Sequence, residues 1–127
     1  MKNLIVVTGG AGFVGSNLIE YLLKQTKKNI ISLDDYSSGS RKNHIKNSRV
    51  SYIKGHTRDV NKYLNKYKSK INAIFHFGEF SRIYQSFLQM NTCINSNTIG
   101  TNAIFDFCLK NKIKVIYSAT SATLGNK

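Results

Sequence analysis

Residues 6–23, "VVTGGAGFVGSNLIEYLL", constrain the fold of this 127-residue chain more than any other stretch. The run "NLIVVT" (3–8) is short, β-branched and bounded by glycines, which predicts a buried strand. Over residues 13–24, Val14, Leu18, Ile19, Leu22 and Leu23 recur at helical spacing. Between the two, Gly10, Gly12 and Gly15 satisfy G-x-G-x-x-G, while Gly9, Gly12 and Gly15 satisfy the sister pattern G-x-x-G-x-x-G. The physical demands of both patterns are the same. The first glycine permits a tight turn off the strand, Gly12 lets backbone approach a pyrophosphate, and Gly15 lets the helix pack close to the sheet. The helix then presents free N–H groups and its positive dipole end to phosphates. A glycine turn can also serve packing alone. Here, however, an acidic residue ends the next apolar run: Asp34 lies 19 residues after Gly15, where a carboxylate accepts hydrogen bonds from adenosine ribose hydroxyls. The same carboxylate repels a 2′-phosphate, so the cofactor expected is NAD rather than NADP.

The rest of the chain alternates in the same way. "NIISLD" (29–34), "RVSYIKG" (49–55), "NAIFHFG" (72–78) and "IKVIYSAT" (113–120) read as four more strands. Val60, Tyr63, Leu64 and Tyr67 mark a short helix, and residues 91–110 a long one carrying Ile94, Ile99, Ala103, Ile104, Phe107 and Cys108. "DYSSGSRKN" reads as a polar loop, and residues 79–90 as a polar connection. Continuous apolar strands alternating with helices predict an α/β fold, a Rossmann-like doubly wound parallel sheet of order 3-2-1-4-5 forming one domain over 1–127. The pattern breaks off after the fifth strand, so the domain reads as truncated there. An uncovered apolar edge of that kind invites self-association.

Charge is the main anomaly, with 19 Lys and Arg against six Asp and Glu, a net +13. A nucleic-acid partner is one reading of such a balance. The lysines are scattered, however, and accompany abundant Asn and Ile with no Pro or Trp. Only 62–70 is dense, and there the lysines are spaced as one solvated helix face. Nucleic acid is therefore the weaker expectation. No apolar run is long enough for a membrane span, and the N-terminal run is too short for a signal peptide, which leaves a cytoplasmic location by default. Cys93 and Cys108, 15 apart, carry no metal or redox spacing and read as two small half-buried or buried side chains. No metal site is expected. His76, inside the fourth strand, reads as a packed, hydrogen-bonded core histidine rather than a base.

The segments "VTGGAGFVGSNLIEYLL", "LDDYSSGSRKN", "FHFGEFSRIYQS", "NSNTIGTNAIFDFC" and "VIYSATSATLGN" together resemble, in order, the N-terminal half of extended short-chain dehydrogenases, the NAD-dependent nucleotide-sugar epimerase/dehydratase group that includes UDP-glucose 4-epimerase. The resemblance implies that Gly9, Gly12, Phe13 and Val14 contact the pyrophosphate, and that Asp34 holds the adenosine ribose with Ser38 and Gly39 nearby. It implies that Phe77, Gly78 and Glu79 line the cofactor, and that Asn97 is the asparagine of the N-x-x-G-T-x-N run. Ser118 would approach the nicotinamide side, and Thr120 would hydrogen-bond the reacting hydroxyl of a nucleotide-sugar substrate. Arg82 would meet a substrate phosphate or pair with Glu79.

Three departures accompany the likeness. His56, in "GHTRD", replaces an Asp that contacts adenine in the family. Gly78-Glu79 stands where Ala-Ala or Ala-Gly is usual, and Leu124 replaces a tyrosine. A fourth concerns the reaction itself. The family's Tyr-x-x-x-Lys pair, base and pKa-lowering partner, has no match at any of the seven tyrosines. The expectation is an NAD-binding portion of such an enzyme, inactive alone. The alternatives are a stand-alone nucleotide-binding or regulatory module and, less favoured, a nucleic-acid binder.

Overall fold

The structure is a computed structural model and describes residues 1–119. Its elements are β1 (Leu4–Thr8), α1 (Phe13–Gln25), β2 (Asn29–Asp34), β3 (Val50–Lys54), α2 (Val60–Leu64), β4 (Ile71–His76), α3 (Ile83–Leu88), α4 (Met90–Ile94), α5 (Thr101–Lys110) and β5 (Lys114–Tyr117). The five strands form one parallel sheet in the order β3-β2-β1-β4-β5, as the alternation of runs predicts.

Strand periodicity explains how the sheet is covered. Successive side chains of β1 point to opposite faces. Leu4 and Val6 join Ile31, Val60, Leu64, Ile74, Ile104 and Phe107 in a core beneath α2 and α5. Ile5 and Val7 join Ile19, Leu22 and Ile30 in a second core beneath α1. A strand apolar on both faces is thus one that two helical layers cover, and burying each such side chain is worth about 1.5–3 kcal/mol. At the far end of α1, the Arg49 guanidinium donates to the carbonyls of Leu23 (2.6 Å), Thr26 (2.7 Å) and Lys28 (3.2 Å). It ties the start of β3 to a carbonyl in the last turn of α1, which has no partner within the helix, and to two carbonyls of the connection that follows.

Three details differ from the sequence reading. The connection after β4 contains α3, whose Tyr84, Phe87 and Leu88 are exposed. The helix over 91–110 is interrupted at Asn95–Gly100 by a π-helical turn between α4 and α5. β5 ends at Tyr117, short of the strand read over 113–120. The basic stretch conforms: Lys62, Lys66, Lys68 and Lys70 are all exposed around α2 and the turn after it.

Candidate dinucleotide cleft

The glycines of the turn have separate duties, which sequence spacing alone does not separate. Gly9 has φ +72°, a left-handed conformation that favours glycine, and a Cβ there would lie 2.9 Å from the Phe77 backbone. A Cβ on Gly10 would run into Ser32, and one on Gly15 into the Gly9 carbonyl, so these two let the turn sit on β2 and let α1 sit on the turn. Gly12 is different. A Cβ there would meet only the Gly9 oxygen, at 3.3 Å, and would otherwise enter the open cleft. Gly12 is also the N-cap of α1, and neither a side-chain cap nor an acidic residue occupies that helix end. The turn thus leaves room for a group at an uncapped helix N-terminus, and a pyrophosphate fits that arrangement.

Asp34 stands at the end of β2, nearly buried. Its Oδ2 accepts from the Ala11 N–H (2.9 Å) and its Oδ1 from the Tyr36 N–H (2.8 Å), which locks the glycine turn to the loop after β2. The Ala11 carbonyl in turn accepts from the Ser40 N–H (3.0 Å) and the Asn43 side chain (2.8 Å). Each Asp34 oxygen keeps a lone pair for a ligand hydroxyl. Burial, and secondarily the Asp34 charge, raises the Tyr36 phenol above its ordinary pKa.

On the other side of β1 a hydrogen-bonded chain leads from the core to the cleft. Thr8 Oγ1 accepts from the N–H groups of Phe77 (3.0 Å) and Gly78 (2.9 Å), so its own proton goes to His76 Nδ1 (2.7 Å). His76 is therefore protonated on Nε2, which donates to Thr101 Oγ1 (2.7 Å). Thr101 donates to Glu79 Oε2 (2.5 Å), and the Tyr117 hydroxyl donates to both Glu79 oxygens (3.1 and 3.2 Å). Burial pushes the His76 pKa down to about 4, so the ring is neutral at physiological pH. His76 is the packed core histidine that its place in the strand suggests. Burial, with the Glu79 carboxylate next, raises the Tyr117 phenol.

Asn97 sits in the π turn. Its Oδ1 accepts from the Phe80 N–H (2.6 Å), and its Nδ2 donates to the Phe80 carbonyl (2.8 Å). It grips the loop that carries Glu79. Burial pushes the Cys108 thiol up to about 11, and Cys93 is half-buried beside the Asn97 amide, in keeping with two small buried or half-buried residues.

These parts meet along two adjoining lobes that share Val14, Phe77, Glu79 and Ser81. The first, about 210 Å³, brings together Gly9, Gly12, Phe13, Val14, Asp34, Ser38, His56, Phe77, Gly78 and Glu79. The second, about 560 Å³, adds Asn97, Tyr117 and Ser118, with Arg82 in its wall. Among the expected residues, Gly39 is not part of either wall. It lies behind Asp34, where a Cβ would come within 2.9 Å of Oδ2. His56 does reach the first lobe and caps the short turn at Thr57–Asp59, its Nδ1 accepting from the Arg58 N–H (3.1 Å). Arg82 makes no ion pair with Glu79; Thr101 and Tyr117 hold that carboxylate instead. Thr120 lies outside the described residues. Sequence reasoning missed Thr8, Thr101 and Tyr117, although Thr101 is inside the "NTIGTN" run.

A family model, described as the NAD dependent epimerase/dehydratase family, matches residues 5–127. The chain belongs to the NAD dependent epimerase/dehydratase family. Among curated proteins it is similar to a dTDP-D-glucose 4,6-dehydratase of Dictyostelium discoideum, 33% identical over 129 aligned positions that cover 96% of this chain and 30% of that one. Among solved structures it is similar to an epimerase of Methanothermobacter thermautotrophicus, at 26% identity and TM-score 0.85, covering 94% of this chain and 36% of that one. It is likewise similar to the UDP-glucose 4-epimerase of Thermotoga maritima, solved with UDP-glucose, at 25% identity and TM-score 0.83, covering 94% and 38%. The chain thus spans about a third of the length of these epimerase/dehydratase family members.

Proposed function

We propose that this chain is the NAD-holding portion of a nucleotide-sugar epimerase or dehydratase and does not turn over by itself. The observation that carries the reading is the space at Gly12 over the uncapped N-terminus of α1, with Asp34 locked at the end of the neighbouring strand. Gly12, Phe13 and Val14 hold the pyrophosphate, and Asp34 and Ser38 hold the adenosine ribose, with His56 beside the adenine. Phe77, Gly78, Glu79, Asn97 and Ser118 line the remainder of the cofactor's path. Bound NAD supplies a hydride acceptor. The nucleotide-sugar enters from the second lobe, and the family likeness gives Thr120 the bond to its reacting hydroxyl. Proton removal from that hydroxyl requires a base, and no tyrosine of this chain has a lysine four residues on.

The cleft itself weighs against nucleic acid as its ligand. Asp34, Asp35 and Glu79, half of the six acidic residues, line the first lobe, and no described Lys or Arg does. A polyanion would meet carboxylates there, whereas the lysines of 62–70 lie on an outer face.

The test is calorimetric titration of the chain with NAD and with NADP at moderate salt. Saturable NAD binding, with NADP about tenfold or more weaker through repulsion at Asp34, supports the reading. Equal binding of the two removes the role given to Asp34. No heat from a folded, monodisperse sample refutes the cofactor reading.

A further inference from the structure

Glu79 is an odd side chain to place in a cleft meant for a ligand with two phosphates. It is held there firmly: Thr101 donates to Oε2, Tyr117 bonds both oxygens, and Asn97 grips the backbone of the next residue, Phe80. The Glu79 oxygens accept the Thr101 and Tyr117 bonds through their lone pairs. The chain from Thr8 through His76 to Thr101 is polarised toward it, since Thr8 takes two backbone N–H bonds and must pass its own proton on. No cation neutralises it, since no described Lys, Arg or His forms an ion pair with Glu79.

Its position along the cleft follows from the sheet order. Asp34 ends β2 on one side of β1, α1 begins above β1, and Glu79 follows β4 on the other side. A dinucleotide with its adenosine ribose at Asp34 and its pyrophosphate at Gly12 has its second nucleoside on the β4 side, where Glu79 borders both lobes. An oxidised nicotinamide ring carries a positive charge and a reduced one carries none.

We infer that Glu79 is a specificity-determining residue for the redox state of the cofactor, its fixed carboxylate making this chain bind NAD+ in preference to NADH. The inference rests on the cofactor reading above. It concerns an equilibrium between two ligands and needs no turnover. For scale, unit charges at a separation of about 7 Å, at an effective dielectric between 20 and 80, would change the relative affinity by about threefold to fiftyfold.

The experiment is titration of the chain with NAD+ and, separately, with NADH, for the unaltered protein, Glu79→Gln and Tyr117→Phe, each checked for folding by far-UV circular dichroism. Glutamine keeps the size and an oxygen acceptor for Thr101 but removes the charge. Phenylalanine at 117 removes a bond to Glu79 and keeps the charge. The expected result is a ratio Kd(NADH)/Kd(NAD+) that falls by about threefold or more in Glu79→Gln and stays within about twofold in Tyr117→Phe. A ratio unmoved by Glu79→Gln, or moved equally by both variants, overturns the inference while leaving NAD binding intact. Absence of binding by the unaltered protein overturns this inference and the cofactor reading together. Should Glu79→Gln fail to fold, the salt dependence of the ratio in the unaltered chain decides. A preference for NAD+ that shrinks as ionic strength rises supports the charge, and a flat or reversed ratio refutes it.

Discussion

Acidification should weaken this fold through one side chain whose charge the core cannot accept. Burial holds His76 neutral with a folded pKa of about 4, against an ordinary value of 6.5. Its two ring nitrogens are committed, Nδ1 as acceptor from Thr8 and Nε2 as donor to Thr101, so a second ring proton has no acceptor and would oppose the Thr8 hydroxyl. The sign follows from linkage. The folded pKa is depressed, so the unfolded chain takes up a proton that the folded chain refuses as pH falls below 6.5. The contribution of neutral His76 is therefore fully present above pH 6.5, is lost progressively as pH falls toward 4, and falls no further below that. Between about pH 7.5 and about pH 4.5 the loss amounts to roughly 2.5 kcal/mol, a large part of the stability of a domain this size. Urea unfolding followed by circular dichroism at a series of pH values measures it. His76→Gln offers an oxygen to Thr8 and an N–H to Thr101 without titrating. It should be less stable at neutral pH yet show a shallower fall on acidification. Only three histidines exist, so ring NMR shifts assign readily. The His76 ring should stay neutral with its proton on Nε2 down to about pH 5. A ring midpoint near 6.5, or parallel acid curves for the two proteins, would refute the reasoning.

Two further expectations come from the glycine turn. Gly12→Val puts its side chain into open cleft, so the thermal midpoint should move by no more than about 3 °C while NAD affinity falls by roughly thirtyfold or more. Gly15→Ala puts a methyl 2.2 Å from the Gly9 carbonyl, and should cost about 3 kcal/mol in denaturant unfolding. If Gly12→Val binds NAD normally, the pyrophosphate does not lie over that residue. Ser32 Oγ, fully buried against Gly10, is the one described buried side-chain polar atom without a hydrogen-bond partner. Ser32→Ala should therefore raise stability by about 1 kcal/mol, seen as a thermal midpoint roughly 3 °C higher. A lower midpoint would mean the hydroxyl has a partner in solution.

The sheet was legible because each strand is an apolar run between polar or glycine boundaries, and because parallel strands joined by helices allow few orders. α3 was not legible: Tyr84, Phe87 and Leu88 are exposed, so these apolar residues do not trace a core-facing stripe. The glycine turn and Asp34 stood out since they are local in sequence, fixed in spacing and set at element ends. Spacing did not reveal which glycine serves turn, packing or cleft; φ at Gly9 and the surroundings of the missing Cβ atoms do. The chain from Thr8 to Glu79 was invisible for a different reason. Thr8 and His76 are 68 positions apart, and His76 and Thr101 25, so only the pairing of β1 with β4 and the packing of α5 bring them together. Of the two roles open to Arg82, a substrate phosphate or a pair with Glu79, the pair is not formed, and Thr101 and Tyr117 bond that carboxylate.

The wide turn at Asn95–Gly100 gives one helix two orientations. An α-helix turns about 100° per residue, so one residue accommodated extra rotates everything beyond it by that angle. Past the turn, Ile104, Phe107 and Cys108 face the core; within it, Asn97 faces the loop after β4. Core and cleft can then change independently along a single helix. Deleting one residue from the turn would put the two stripes in phase and release Phe80, loosening the far lobe while the five strands keep their places.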